Sequence, residues 1–306
     1  MEKLILALDW TPNINHIGFF VAREKGYYEE HGLNVNIIDP SIDNYTITPA
    51  KKVEMGLADF ALCPTESIIS YRTKEKPFGL KGIATIFQED VSAIAVRSDK
   101  GIQSPKELDG KRYASYKARY EDAIVKQMIR NDGGEGAIGT AYPEKLGIWD
   151  TLLHGDFDAT WIFLNWEGIE AEAIDAPLTY FKMADYQVPY SYSPMIAANE
   201  EKISSQKTAY ANFLTATRQG IAFCHNNTKE AAEILKPFVP EKDAKIDLEK
   251  ALALSNSHFG TPEEWGYMDE NTISRFLEWI YEHELESKVL KTTDLFTNEL
   301  MEHPTQ

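Results

Sequence analysis

The densest run of side chains able to do chemistry is Trp161-Ile-Phe-Leu-Asn-Trp-Glu-Gly-Ile169, which brings Trp161, Asn165, Trp166 and Glu167 into one short stretch. In an extended segment alternate residues face the same way, so the pattern predicts a buried strand that ends in a turn at Gly168. A carboxylate beside indole rings suits a flat, nitrogen-bearing ligand. The rings supply stacking area, and the carboxylate accepts N–H bonds from an amino group and a ring nitrogen. A plainer reading fits the same residues: both tryptophans belong to the core and Glu167 caps the next helix.

Three further clusters could face the same ligand. The loop Asp9-Trp-Thr-Pro-Asn-Ile-Asn-His16 follows an apolar run and holds more polar and aromatic residues than a helix start requires, with Asp9, Trp10, Asn13 and His16 as candidates. In Cys63-Pro-Thr-Glu-Ser67 a strand passes into a helix, where unpaired backbone N–H groups and the Thr65 and Ser67 hydroxyls can hold a polar or anionic group. Thr65 serving only as a helix cap explains that hydroxyl equally well. Tyr116-Lys-Ala-Arg119 could greet an anion at a helix start, or be a solvated first turn. Cys63 is the one candidate nucleophile at a helix N-terminus, a position that lowers a thiol pKa, although a buried cysteine is more often inert packing.

The elements around these clusters alternate. Strands at 4–8 and 33–38 flank a helix at 17–24, a β-α-β unit that implies a parallel sheet with ligands beyond the strands' carboxyl ends. Strands at 58–62, 80–87, 91–97, 110–115, 137–142 and 161–166 follow, with helices between several of them and a capping-box helix start at Ser104-Pro-Lys-Glu107. Helices at 205–225, 228–238, 247–257 and 269–284 close the chain. This α/β rhythm, with two crossings and no linker-like tract, predicts two lobes around a hinge: residues 1–90 with 190–306, and residues 91–189.

Composition narrows the partners. The 306 residues include 48 acidic and 31 basic side chains, a formal net charge of −17, which argues against nucleic acid or an anionic membrane as partner. The two cysteines, Cys63 and Cys224, are far apart and expected to be free thiols. With no Cys/His cluster, no structural metal is expected. The opening apolar run is too short for an export signal or a membrane span. A cytoplasmic protein is therefore expected if Met1 opens the full chain, and a periplasmic or extracellular one if a signal was trimmed.

Several collinear motifs resemble one superfamily: Leu8-Asp-Trp-Thr-Pro-Asn-Ile-Asn-His16, Ala22-Arg-Glu-Lys-Gly-Tyr-Tyr28, Gly56-Leu-Ala-Asp-Phe60, Gly155-Asp-Phe-Asp-Ala159 and Asn165-Trp-Glu-Gly168. It joins substrate-binding proteins of ABC transporters, for sulfonates, nitrate-type ligands and thiamin pyrimidines, to the fungal thiamin-pyrimidine synthases. The resemblance implies a type II periplasmic-binding-protein fold with the ligand cleft between lobes. It also implies that Glu167 bonds an aminopyrimidine, with Trp10, Asn13, His16 and Tyr190 or Tyr192 around it. The synthases resemble single-turnover enzymes that hold pyridoxal phosphate on a Lys, sacrifice a His and carry a Cys-rich motif for iron. Aligned on Gly56-Leu-Ala-Asp59, their Lys falls at Cys63, their His at Ser67 and their Cys-rich run near 188–192, which has no Cys. Without that amine no Schiff base forms. The expectation is a non-catalytic binder without cofactor, taking a thiamin-precursor-type pyrimidine. A transporter permease is its implied partner if it is exported. The alternatives are a synthase-like enzyme and a cytosolic sensor.

Overall fold

A computed structural model describes residues 1–301. Two five-stranded mixed sheets carry the architecture. The first has the order β2-β1-β3-β10-β4, from β1 (Glu2–Ala7), β2 (Leu33–Ile38), β3 (Phe60–Cys63), β4 (Leu80–Thr85) and the late strand β10 (Met195–Asn199). The second has the order β7-β6-β8-β5-β9, from β5 (Ser92–Arg97), β6 (Arg112–Ala114), β7 (Gly139–Ala141), β8 (Ala159–Phe163) and β9 (Leu178–Phe181). In the first sheet β1 pairs in parallel with β2 and β3; in the second β6 does so with β7 and β8. The strands that enter from the other half of the chain, β10 and β5, run antiparallel to their neighbours.

Helices cover the faces. Before the late strand β10 they are α1 (Ile17–Glu24), α2 (Tyr27–Glu30), α3 (Pro49–Glu54), α4 (Thr65–Thr73), α5 (Glu121–Asn131), α6 (Ile148–His154) and α7 (Ile169–Ala173). After β10 come α8 (Glu200–Ser205), α9 (Lys207–Asn226), α10 (Thr228–Leu235), α11 (Leu248–Phe259), α12 (Glu270–Glu282) and α13 (Thr292–Leu295). The 20-residue α9 is the spine of the first lobe. Its Phe213 ring stacks on Phe60 of β3 at 4.2 Å, on Tyr28 at 5.5 Å and on Phe19 at 6.2 Å, an aromatic ladder from sheet to surface helices.

Four expectations change. The strand expected through Trp166 stops at Phe163, and Leu164–Gly168 forms a single wide helical turn leading into α7. Gly168 is helical at φ −61°, with no sharp turn there. The helix expected at Ser104 is one 3-10 turn, Pro105–Leu108, which the Ser104 side chain does not cap. The short edge strand β9 lies in a stretch with no strand expected. Finally, the C-terminal segment is not wholly helical, because Phe296 makes a parallel bridge to Gly82 of β4 and Thr297 N donates to Gly82 O at 2.9 Å.

Helices α1 and α9 pass close together at Gly18 and Gly220. A Cβ on Gly220 would sit 2.2 Å from the Gly18 carbonyl oxygen, inside any tolerable contact. Overpacking against backbone cannot be relieved by a rotamer change, so Gly220→Ala is expected to cost about 2–3 kcal/mol. A urea unfolding curve would read this as a lowered midpoint with unchanged slope.

Candidate ligand-binding site

Parallel strands place their following loops on one edge, and the two sheets turn those edges toward each other. The loops after β1 and β3 from one sheet and after β6 and β8 from the other enclose a cavity of about 590 Å³, within the range of small-molecule pockets. Eight expected residues reach its wall: Asp9, Trp10, Asn13, Ser67, Tyr116, Trp161, Trp166 and Glu167, and Tyr190 from the returning segment makes a ninth.

Aromatic edges frame the space. Trp10 meets Tyr116 edge-on across the two lobes at 6.3 Å and Tyr45 at 5.3 Å. Trp161 meets Tyr190 at 5.0 Å, and Tyr190 rests on Phe276 of α12 at 5.5 Å. Glu167 sits in the turn after β8, where its Oε2 accepts the Phe163 N–H at 3.0 Å and holds the side chain back toward the strand end. Enclosure by protein pushes its carboxyl up to about 7, against the lowering effect of that backbone bond. The Tyr116 hydroxyl is raised by burial first and then by the Glu167 charge, so the two face the same space.

The four remaining candidates lie behind the wall, which corrects their expected role as lining residues. His16 is fully buried; its Nδ1 accepts the Asn13 N–H at 3.2 Å and its Nε2 meets Asp9 Oδ1 at 2.8 Å. Because Nδ1 faces a donor, the ring proton is on Nε2 and serves to fix Asp9. Asn165 is also fully buried, and its Nδ2 donates to Asn15 Oδ1 and Ser255 Oγ, both at 2.8 Å, tying the Glu167 turn to the first loop and to α11. Thr65 does not cap α4. Its hydroxyl donates to the Tyr192 carbonyl at 2.9 Å, clamping β3 to the returning segment. The Tyr192 hydroxyl accepts the Asp269 N–H at 2.9 Å, leading away from the cavity.

Two acidic wall residues went unnoticed in sequence. Glu121 organises the 116–118 loop, its Oε1 accepting from the Tyr113 hydroxyl at 2.8 Å and Tyr116 N at 3.0 Å, and its Oε2 from Ala118 N at 3.0 Å. That loop carries Lys117 at φ +61°, a left-handed conformation held by these bonds and by Ser115 Oγ. Glu66, in the first turn of α4, is 3% exposed, and burial pushes it up to about 7. A carboxylate in a first helical turn looks ordinary in sequence, because the helix dipole favours it there. Cys63 also lines the cavity, but burial raises its thiol, with Asp9 and Glu66 adding to the rise, so the thiolate is disfavoured. Cys224 is likewise a buried free thiol. Among the described residues no group of three or more His, Cys, Asp or Glu could hold a metal ion, and no helix is long and apolar enough to cross a membrane.

Comparison with known proteins adds a lineage to this geometry. The chain is 24% identical over 307 residues to a formylaminopyrimidine-binding protein of Halalkalibacterium halodurans, covering 97% of this chain and 90% of the relative. It is 22% identical over 243 residues to a 4-amino-5-hydroxymethyl-2-methylpyrimidine phosphate synthase of Legionella pneumophila, covering 78% and 75%. A Candida albicans gene product described as having the generic periplasmic binding protein structural fold superposes with a TM-score of 0.68 at 14% identity, over 97% of both chains. The two-lobed α/β fold is therefore of the periplasmic-binding-protein type. The family model described as NMT1/THI5 like matches residues 13–231, and the chain belongs to the NMT1/THI5-like family.

Proposed function

We propose that this chain is a non-catalytic binding protein for an aminopyrimidine-type ligand, which it encloses by closing residues 91–189 against residues 1–90 and 190–306. The observation that carries this is Glu167, a carboxyl held near neutrality in an interlobe cavity edged by Trp10, Tyr116 and Trp161. A protonated carboxyl offers one donor and one acceptor side by side. A 4-aminopyrimidine offers the complement, a ring-nitrogen acceptor beside an amino donor, so the pair closes two hydrogen bonds in one plane. The aromatic edges then cover the faces of the ring. The formylaminopyrimidine-binding name of the Halalkalibacterium relative supports the same ligand class.

A synthase reading has less support. The position matching the synthase lysine is Cys63, a buried thiol whose ionisation is disfavoured, and the position matching the histidine is Ser67. On the binding reading a transporter permease is the partner of an exported chain, and the compartment follows from whether an export signal precedes Met1.

Calorimetric titration with 4-amino-2-methylpyrimidine tests the reading. Glu167→Ala should lower affinity roughly a hundredfold by removing both hydrogen bonds. Glu167→Gln keeps a donor and an acceptor and should stay within about tenfold of wild type. In wild type the affinity should fall above about pH 7 as the carboxyl loses the shared proton. In Glu167→Gln that fall should vanish. Unchanged binding in Glu167→Ala, or selection of alkanesulfonates over pyrimidines, overturns the reading.

Stability of the ligand-free protein should show the companion effect of Glu66. Burial raises its pKa to about 7 in the folded protein, above the ordinary 4.5 of a glutamate, so between those values the folded state holds a proton that the unfolded chain has lost. Stability therefore falls as pH rises through that window, by on the order of 3 kcal/mol from this group, and is flat in this term above it. Thermal melts of wild type and Glu66→Gln from pH 4 to pH 8 should converge at the acid end and separate toward pH 8, with the variant more stable there.

A further inference from the structure

Glu66 and Glu167 line the same cavity from opposite sheets, Glu66 just after β3 and Glu167 just after β8. Glu66 Oε1 accepts the Tyr190 hydroxyl at 2.9 Å, and Oε2 is buried with no hydrogen-bond partner among the described residues. Both oxygens of Glu121 are taken by Tyr113 and the 116–118 backbone, and Asp9 gives Oδ1 to His16. Beyond the remaining Asp9 oxygen, acceptor capacity for a ligand lies at two separate points, Glu66 and Glu167.

Cations offer no matching capacity inside. The basic wall residues Lys117, Arg119 and Lys145 are all exposed, at the rim. Arg119 is held by the Thr73 hydroxyl at 2.8 Å and by Glu286, and the Lys117 ammonium lies 5.4 Å from the Tyr142 ring centre. The charges of Glu121 and Asp90 already act on Glu66 and raise it further, so an anion brought beside it meets three acids and no buried base.

We propose that Glu66 is a second ligand anchor, and that the cavity selects an uncharged or cationic heteroaromatic ligand whose side arm carries an N–H or O–H donor, against one whose arm ends in a phosphate. This rests on the aminopyrimidine reading and specifies the far end of that ligand. Glu167 takes the ring edge and the free Oε2 of Glu66 takes the arm, while the Tyr190 hydroxyl donates to the other Glu66 oxygen.

Calorimetry on the full chain at pH 7.5 separates the two claims with three probes sharing a 4-amino-2-methylpyrimidine ring. Their 5-substituents are methyl, aminomethyl and phosphorylated hydroxymethyl. The aminomethyl compound should bind at least about tenfold tighter than the methyl compound, and the phosphate ester no tighter than the methyl compound. Glu66→Gln should reduce the aminomethyl preference to within about threefold. Tyr190→Phe, which leaves the carboxyl in place, should retain the preference. If Glu66→Gln does not fold, the wild-type ratios and Tyr190→Phe still decide. Equal wild-type binding of the methyl and aminomethyl compounds, equal loss of both in Glu66→Gln, loss of the preference in Tyr190→Phe, or tightest binding of the phosphate overturns the proposal while the pyrimidine reading stands. If no probe binds wild type, that reading fails and this proposal fails with it.

Discussion

Parallel strands cannot be joined by tight hairpins, and this constraint sets where everything else in the structure goes. Each return requires a crossover, so the loops after β1, β3, β6 and β8 all leave from strand carboxyl ends. Because two sheets do this and face one another, four loops distant in sequence converge on one space. The antiparallel strands β10 and β5 come from the exchange of chain between the halves, and the segments leading to them provide the crossings on which lobe closure would turn. The site thus follows from topology before any side chain is specified.

Within that space, polar residues divide by whether the protein itself can satisfy them. Buried polar groups that lack water must find partners, and those that find them become scaffold. Asn165 spends both N–H bonds of its amide nitrogen on Asn15 and Ser255, Thr65 spends its hydroxyl on the Tyr192 carbonyl, and His16 directs Asp9. Each fixes the position of a loop that carries a wall residue. Glu66 and Glu167 make too few bonds within the protein for the acceptors they have, and both carboxyls are accordingly driven toward the protonated form. The residues with capacity left over toward the cavity thus differ from the most conspicuous polar ones.

The same distinction explains what could be read from sequence. Amphipathic helices such as α9, α11 and α12 and the opening β-α-β unit stand out because their periodicity serves one large core. The aromatic and acidic content of the Trp161–Glu167 stretch also led to the cavity. The end of β8 was hidden because its alternation continues past Phe163. The structure buries the adjacent residues Asn165 and Trp166 together, as a helical turn can and a one-faced strand cannot. The four-residue β9 at the sheet edge was too short to carry a period. Glu66 was missed because its neighbours Thr65 and Ser67 offered a familiar capping explanation and its own place in a first turn needed none.

Cys63 shows how competing effects at one position are decided by size. A helix N-terminus favours an anion by roughly 0.3–1 kcal/mol, which amounts to less than one pKa unit. Burial of a thiol acts in the opposite direction and can reach several units, and here Asp9 and Glu66 act in the same direction as burial. The thiol therefore stays protonated, although its place in the sequence suggested activation. Burial therefore decides the state of Cys63, and the Asp9 and Glu66 charges that add to it form an acidic field that would stabilise a positively charged or hydrogen-bond-donating ligand beside it.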